Sequence, residues 1–173
     1  ENEFRKFKTT VREEIDRPML EEIFPLGTIL KDLWWESRGG RIRLPEHLSE
    51  EKYRDPSKHG EPGITFGRQI GAYPILVGVP YAIPLESGSD IVVTGHGMRS
   101  ISGIEYGLDI NHATKSQLQA LPGIGDKSSW KIISNRARRA NKNQGNFTSV
   151  EEAFSEAGVT MPPLAPEVFV TTY

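Results

Sequence analysis

At 173 residues the chain has room for one large or two small domains, and 36% apolar with 25% charged residues places it among soluble globular proteins. No run of about 18 apolar residues is present to cross a membrane. The chain has no cysteine, which excludes disulfides, thiolate metal sites and any cysteine-ligated iron–sulfur cluster within it, and its formal net charge is −2.

Residues 3–24 carry a charged helical pattern with Val11, Ile15, Met19, Leu20 and Ile23 close to one face, and Pro18 within it predicts a kink or two shorter helices. After Gly27, residues 28–35 read as a strand ending in Trp34 and Trp35. Neighbouring strand residues face opposite ways, so one indole turns to the core. The other is left to stack on a base or to pack on a neighbouring domain, and both readings stay open. Residues 36–63 are polar and rich in Gly, Pro and charge, with a short strand over 41–44 and a long excursion from Glu46 to Gly63 of the kind that is usually functional or mobile. Strand signals return at 64–66, 75–79, 90–94 and 98–106. Short strands punctuated by Gly and Pro predict a small antiparallel barrel. Helical patterning takes over after Asn111.

The expected fold class is therefore α+β: residues 1–106 form an N-terminal helix plus a small antiparallel β-barrel, and residues 107–173 form an all-α domain.

The most informative stretch lies in that second part. Thr114, followed three residues later by Gln117, fits a capping box at the start of a helix whose apolar side carries Leu118 and Leu121. Pro122 stops that helix. Gly123 and Gly125 allow a tight turn or a close backbone approach, and Ile124 between them is expected in the core. Gly125 or Asp126 opens a second helix with apolar positions at Trp130 and Ile133, and Ile132 beside them. From Gly107 to Phe147 seven basic residues (Lys115, Lys127, Lys131, Arg136, Arg138, Arg139, Lys142) face two acidic ones, Asp109 and Asp126. Such a local surplus is the electrostatic footprint of a phosphate-binding surface, although a basic helix is also commonly just a solvated face.

Leu121-Pro-Gly-Ile-Gly125 between two short helices resembles the helix-hairpin-helix motif, which binds nucleic-acid backbone without reading sequence. With Leu108–Gly125 before it and Phe147–Phe154 after it, the segment is similar to the double hairpin module of bacterial DNA-uptake competence proteins. The resemblance implies phosphate capture by the amides of Gly123, Ile124 and Gly125, with Lys127, Lys131 and Arg136 nearby and Lys115, Arg138 and Arg139 extending the positive surface. Two departures stand out. Ser129 replaces the usual alanine, and Ala157–Pro163 lacks the second glycine of a hairpin, so this second hairpin is expected to buttress the first.

Gly67–Pro80 followed by Gly88–Gly95 resembles a TRAM domain, an OB-like β-barrel associated with RNA binding in methylthiotransferases and tRNA methyltransferases. That resemblance makes Arg68, Tyr73 and Arg99 candidates for RNA contact: arginine pairs with phosphate and tyrosine stacks on unpaired bases. Tyr73, ahead of Pro74, reads better as a turn or core residue. The Thr65–Pro74 and Val93–Ser100 blocks together look like the C-terminal region of archaeal-type radical-SAM iron–sulfur oxidoreductases. In those proteins a cysteine motif in a separate N-terminal domain holds the 4Fe-4S cluster that works with S-adenosylmethionine. The resemblance implies neither cofactor for this chain.

No active site emerges from the sequence. His47, His59, His96 and His112 are scattered without metal-ligand spacing, and the acidic pairs read as solvated faces and helix starts. Gly67–Gly71 is too short for a phosphate loop. His96, between Gly95 and Gly97, reads as a strand end more readily than as a ligand site. The expectation is a non-catalytic, cytoplasmic, C-terminal portion of a longer protein that binds nucleic acid, RNA or tRNA before DNA. The rival readings are a DNA-binding hairpin module and a domain that docks on the parent's catalytic domain.

Overall fold

The computed structural model describes residues 2–36, 43–48, 53–71, 75–97 and 99–171. It opens with α1 (Asn2–Val11), a π-helical turn (Arg12–Asp16) and α2 (Arg17–Ile23), which run on without interruption. Pro18 lies in the first turn of α2, where its missing N–H costs least, and the widened turn just before it takes up the irregularity. Of the expected apolar stripe, Leu20 is buried, whereas Ile15, Met19 and Ile23 are exposed along with Phe4 and Phe7.

Five strands then close a barrel: β1 (Ile29–Trp35), β2 (Thr65–Gln69), β3 (Leu76–Val79), β4 (Ser87–His96) and β5 (Ser100–Glu105). The ring order is β1-β2-β3-β5-β4, with β4 returning to β1. The expectation of an antiparallel barrel holds for four pairs, but β3 and β5 run parallel, with Leu76 opposite Ser100. A ring with an odd number of strands cannot alternate direction all the way round, so one parallel pair is a condition of closure. The strand expected at 41–44 lies partly outside the described residues, and Arg43 within them forms an isolated bridge to Ile64.

Strand β1 shows how local chemistry sets the packing. Leu30, Leu33 and Trp35 are buried, a 3-then-2 spacing that a regular strand cannot produce. A register shift between Leu30 and Leu33 against β4, with Asp32 at φ +60, inserts the extra residue and resets the alternation. Aspartate tolerates that left-handed backbone, and the Asp32 N–H donates to Asp90 Oδ1 at 3.0 Å. Of the two tryptophans, Trp35 is the core residue and donates its indole N–H to Ser89 Oγ at 2.7 Å, while Trp34 is half-buried.

The described part of the Glu46–Gly63 excursion is anchored by side chains. Tyr53 is buried, and its hydroxyl is hydrogen-bonded to Thr65 and to the Ile83 N–H; burial pushes the phenol up to about 12. His59 Nε2 meets Glu105 Oε1 at 2.7 Å, and the neighbouring Gly60 carbonyl accepts from the Thr114 hydroxyl at 3.0 Å.

The helical half begins with β6 (Leu108–Asp109), paired in parallel with β7 (Phe169–Val170), so the last strand pins the first residues of this half. Between them lie α3 (Lys115–Ala120), α4 (Asp126–Asn141), α5 (Val150–Ala157) and α6 (Ala165–Val168). One buried apolar cluster runs from barrel residues such as Val77 and Ile104 to helical residues such as Leu118, Ile132 and Phe154.

Candidate nucleic-acid interface

The hairpin is built from two differently started helices. Helix α3 carries the expected capping box: Thr114 Oγ1 accepts from the Gln117 N–H at 3.2 Å, and Gln117 Oε1 accepts from the Thr114 N–H at 3.0 Å. Helix α5 is capped by Ser149, whose Oγ accepts from the Glu152 N–H at 3.0 Å. Helix α4 starts at Gly125, with no side chain closing its first turn. Its leading N–H groups therefore keep their hydrogen-bonding capacity and the positive end of the helix dipole.

The two glycines of the turn have different reasons for being there. Gly123 adopts φ +99, and a β-carbon on it would stand 3.2 Å from Pro162 Cγ, so both backbone and packing demand glycine. Pro162 belongs to the segment expected to form the degenerate second hairpin, and its contact is a buttress for the first. Gly125 has φ −100 and ψ −167, an extended conformation open to any residue, and a β-carbon there would meet no atom within 4 Å. Neither the turn nor the packing requires glycine at 125, which leaves the outside: the bare backbone is open to close approach from solvent. Ile124 between them is buried as expected, and its N–H donates to the Leu121 carbonyl at 3.1 Å.

Helix α4 corrects one sequence expectation. Its buried face carries Ser129, Ile132 and Asn135, with Ile133 partly buried, while Trp130 is 50% exposed. The phase is set by Ser129, which is fully buried and donates to the Asp126 carbonyl at 2.8 Å. Trp130 lies about 100° further round the helix. Lys115 Nζ sits 4.8 Å from the Trp130 ring centroid and pairs with Asp126, so the cation, the ring and the carboxylate form one surface cluster beside the hairpin.

The basic residues divide into two groups. Lys127 and Lys131 are exposed and have no ion-pair or hydrogen-bond partner among the described residues. Arg138 is exposed and bonds only to the Asn135 carboxamide. Arg136 and Arg139 are occupied within the fold. Arg136 donates from Nη1 to the carbonyls of Ile110 (3.1 Å) and Ala113 (2.8 Å), tying α4 to the approach of α3. The Arg139 side chain, 12% exposed, lies over the Phe147 ring, pairs with Glu156 at 2.6 Å and Glu152 at 3.4 Å, and donates to the Gly145 and Asn146 carbonyls. On the barrel, Arg68 lies in β2, and Arg99, next to β5, pairs with Asp16 at 2.8 Å. Tyr73 lies outside the described residues.

Sequence reasoning missed Asn135, which is 3% exposed with a carboxamide Nδ2 that has no hydrogen-bond partner. The signal was its helical spacing, three residues beyond Ile132, on the face that Ser129 had already marked as close-packed. The histidines stay apart: His59 joins Glu105, His96 meets the Phe24 carbonyl and His112 pairs with Asp109. No group of three metal-ligating side chains occurs among the described residues, and no helix there is long and apolar enough to cross a membrane.

Residues 104–153 match the helix-hairpin-helix motif family. The chain is also similar to an uncharacterised protein of Archaeoglobus fulgidus, at 36% identity over 121 residues. A second relative, an uncharacterised protein of Methanocaldococcus jannaschii, is 37% identical over 101 residues. The matched regions take in 70% and 58% of this chain but only 18% and 15% of those relatives. No solved structure matches.

Proposed function

We propose that this chain holds nucleic-acid backbone, without reading sequence, by seating a phosphate on the open start of α4. The observation that carries the reading is Gly125, a glycine that the fold itself does not need, at the uncapped start of α4, where the absence of a β-carbon leaves the leading amides open to a phosphate. Lys127 and Lys131 supply uncommitted charge in the first and second turns, and Arg138 extends it. Arg136 and Arg139 contribute through the shape of the hairpin, since Arg136 Nη1 and the Arg139 guanidinium are engaged within the fold.

RNA is the preferred ligand because the barrel offers a second surface. OB-type barrels bind oligonucleotides on the face of strands 2 and 3 and on the loops joining strands 1–2 and 4–5. Arg68 lies in β2 and Arg99 follows β4, so both candidates fall on that side of the topology. The TRAM-like reading and a radical-SAM parent remain part of this proposal. The cysteine-free chain does not fit a cysteine-ligated cluster of its own, and in this reading its part is to bind the substrate. A second reading, docking on a parent domain, is favoured by the exposed Phe4, Phe7, Ile15, Met19 and Ile23 of the first two helices.

The test is fluorescence anisotropy against tRNA, single-stranded RNA and duplex DNA across a salt series. Affinity is expected to fall linearly with salt on logarithmic axes, with a shallower slope for Lys127→Glu/Lys131→Glu. Absence of binding at low salt would leave the docking reading in its place.

A further inference from the structure

Beside the hairpin, one flank of α4 and the end of α5 form an open groove of about 430 Å³ lined by Trp130, Lys131, Ser134, Asn135 and Arg138 from α4 and by Glu156 and Ala157 from α5. That volume lies toward the lower end of the roughly 300–1,000 Å³ found for small-molecule sites. We propose that this groove seats one unpaired nucleobase, so that the ligand of the hairpin is single-stranded, or has an unpaired base, where it crosses α4. This deepens the phosphate-binding reading and rests on it.

Three independent features point to a base. Trp130 is half exposed, contributes little to the core and presents an aromatic ring at the groove. Asn135 is almost fully buried at the groove lining and has an amide donor that the fold leaves unsatisfied. Such an orphan is costly, and a small turn of the carboxamide toward the groove lets a base carbonyl or ring nitrogen supply the missing acceptor. The charge also suits a nucleotide: Lys131 is uncommitted, Arg138 bonds only to Asn135, and the one carboxylate, Glu156, is neutralised by Arg139 at 2.6 Å. A paired base inside a duplex presents neither face nor Watson–Crick edge to such a groove, which is why the occupant must be unpaired. Trp130 follows Lys127 by three residues on the same helix, so the phosphate and base sites are adjacent along one strand.

The experiment compares an oligouridylate with a blunt RNA duplex of the same length by anisotropy, using native protein, Trp130→Leu and Lys127→Glu/Gly125→Ala. Loss of a stacking partner lowers affinity by roughly five- to a hundredfold. Trp130→Leu is expected to lose that much for oligouridylate and less than about twofold for the duplex. Native protein should show tryptophan quenching by oligouridylate that vanishes in Trp130→Phe. Equal losses for both ligands, or no loss for oligouridylate, overturn the base site. If the Lys127→Glu/Gly125→Ala variant binds both ligands as native does while Trp130→Leu still loses oligouridylate, the hairpin reading fails and the groove stands. If native protein binds neither ligand at low salt, both fail. Circular dichroism of each variant confirms that it is folded, and half-exposed Trp130 tolerates leucine without opening the core.

Discussion

Gly123 and Gly125 sit two residues apart and should respond in opposite ways to the same substitution. Alanine at 123 has to occupy φ +99 and press on Pro162, so Gly123→Ala should destabilise the protein by about 1–2 kcal/mol, read from a denaturant midpoint. Alanine at 125 meets open space in an allowed conformation. Gly125→Ala should therefore unfold at or slightly above the native midpoint, because the unfolded chain loses freedom, while its affinity for RNA falls. If binding survives unchanged in Gly125→Ala, the amides of that turn do not hold the phosphate. Arg139 gives a third prediction at this scale. Arg139→Ala leaves Glu152 and Glu156 without their shared cation and strips donors from three carbonyls, and it should cost about 2 kcal/mol with circular dichroism otherwise native. Thr114, Gln117 and Ile124 were readable in the sequence because capping boxes and hairpin plugs are matters of spacing within a few residues. Trp130 was misread because the phase of a helix is chosen by whichever face packs closest, and here a serine, not the largest apolar residue, marks that face.

At the level of elements, the approach to α3 is where barrel and helices are stitched together. Gly60 accepts from the Thr114 hydroxyl, and His59 next to it bonds to Glu105 at the end of β5. The hydrogen bond to Glu105 raises the His59 pKa above its ordinary 6.5, with burial opposing it. A raised folded-state pKa contributes stability that is complete below the unfolded value and is lost as pH rises through the folded one. Thermal midpoints should accordingly decline as pH rises above about 6.5 and on through the raised folded-state value, and His59→Gln should flatten the decline; an unchanged profile would remove His59 from the account. None of this stitching was visible in the sequence, since it joins residues some 46 apart and nothing local marks the pairing. The strands themselves were legible from β-branched runs. The parallel pairing of β3 with β5 was not, because strand direction follows from how the ring closes and not from the composition of either strand.

For the molecule as a whole, one apolar cluster passes from barrel to helices, and β7 returns from the end of the chain to hold β6. The two halves drawn on the sequence at 106/107 should consequently melt together. In a Trp130→Phe protein the remaining indoles report on the barrel through Trp34 and Trp35, while far-ultraviolet circular dichroism reports mainly on the helices. Coincident midpoints are expected, and Phe169→Ala, which removes a buried ring at the β6–β7 junction, should shift both midpoints down together, through a destabilisation of about 3–5 kcal/mol. Separate transitions would show two independent folding units instead.

The closed ring of five strands has one more consequence. Every barrel strand has a hydrogen-bonded neighbour on both sides over part of its length, so among the described residues the barrel leaves only short unpaired stretches, such as Gly103–Glu105 beyond the β3 contact, for a foreign strand to join. A partner that meets the ring of strands does so mainly through side chains and loops, by shape and charge, with little backbone on offer to partner or aggregate.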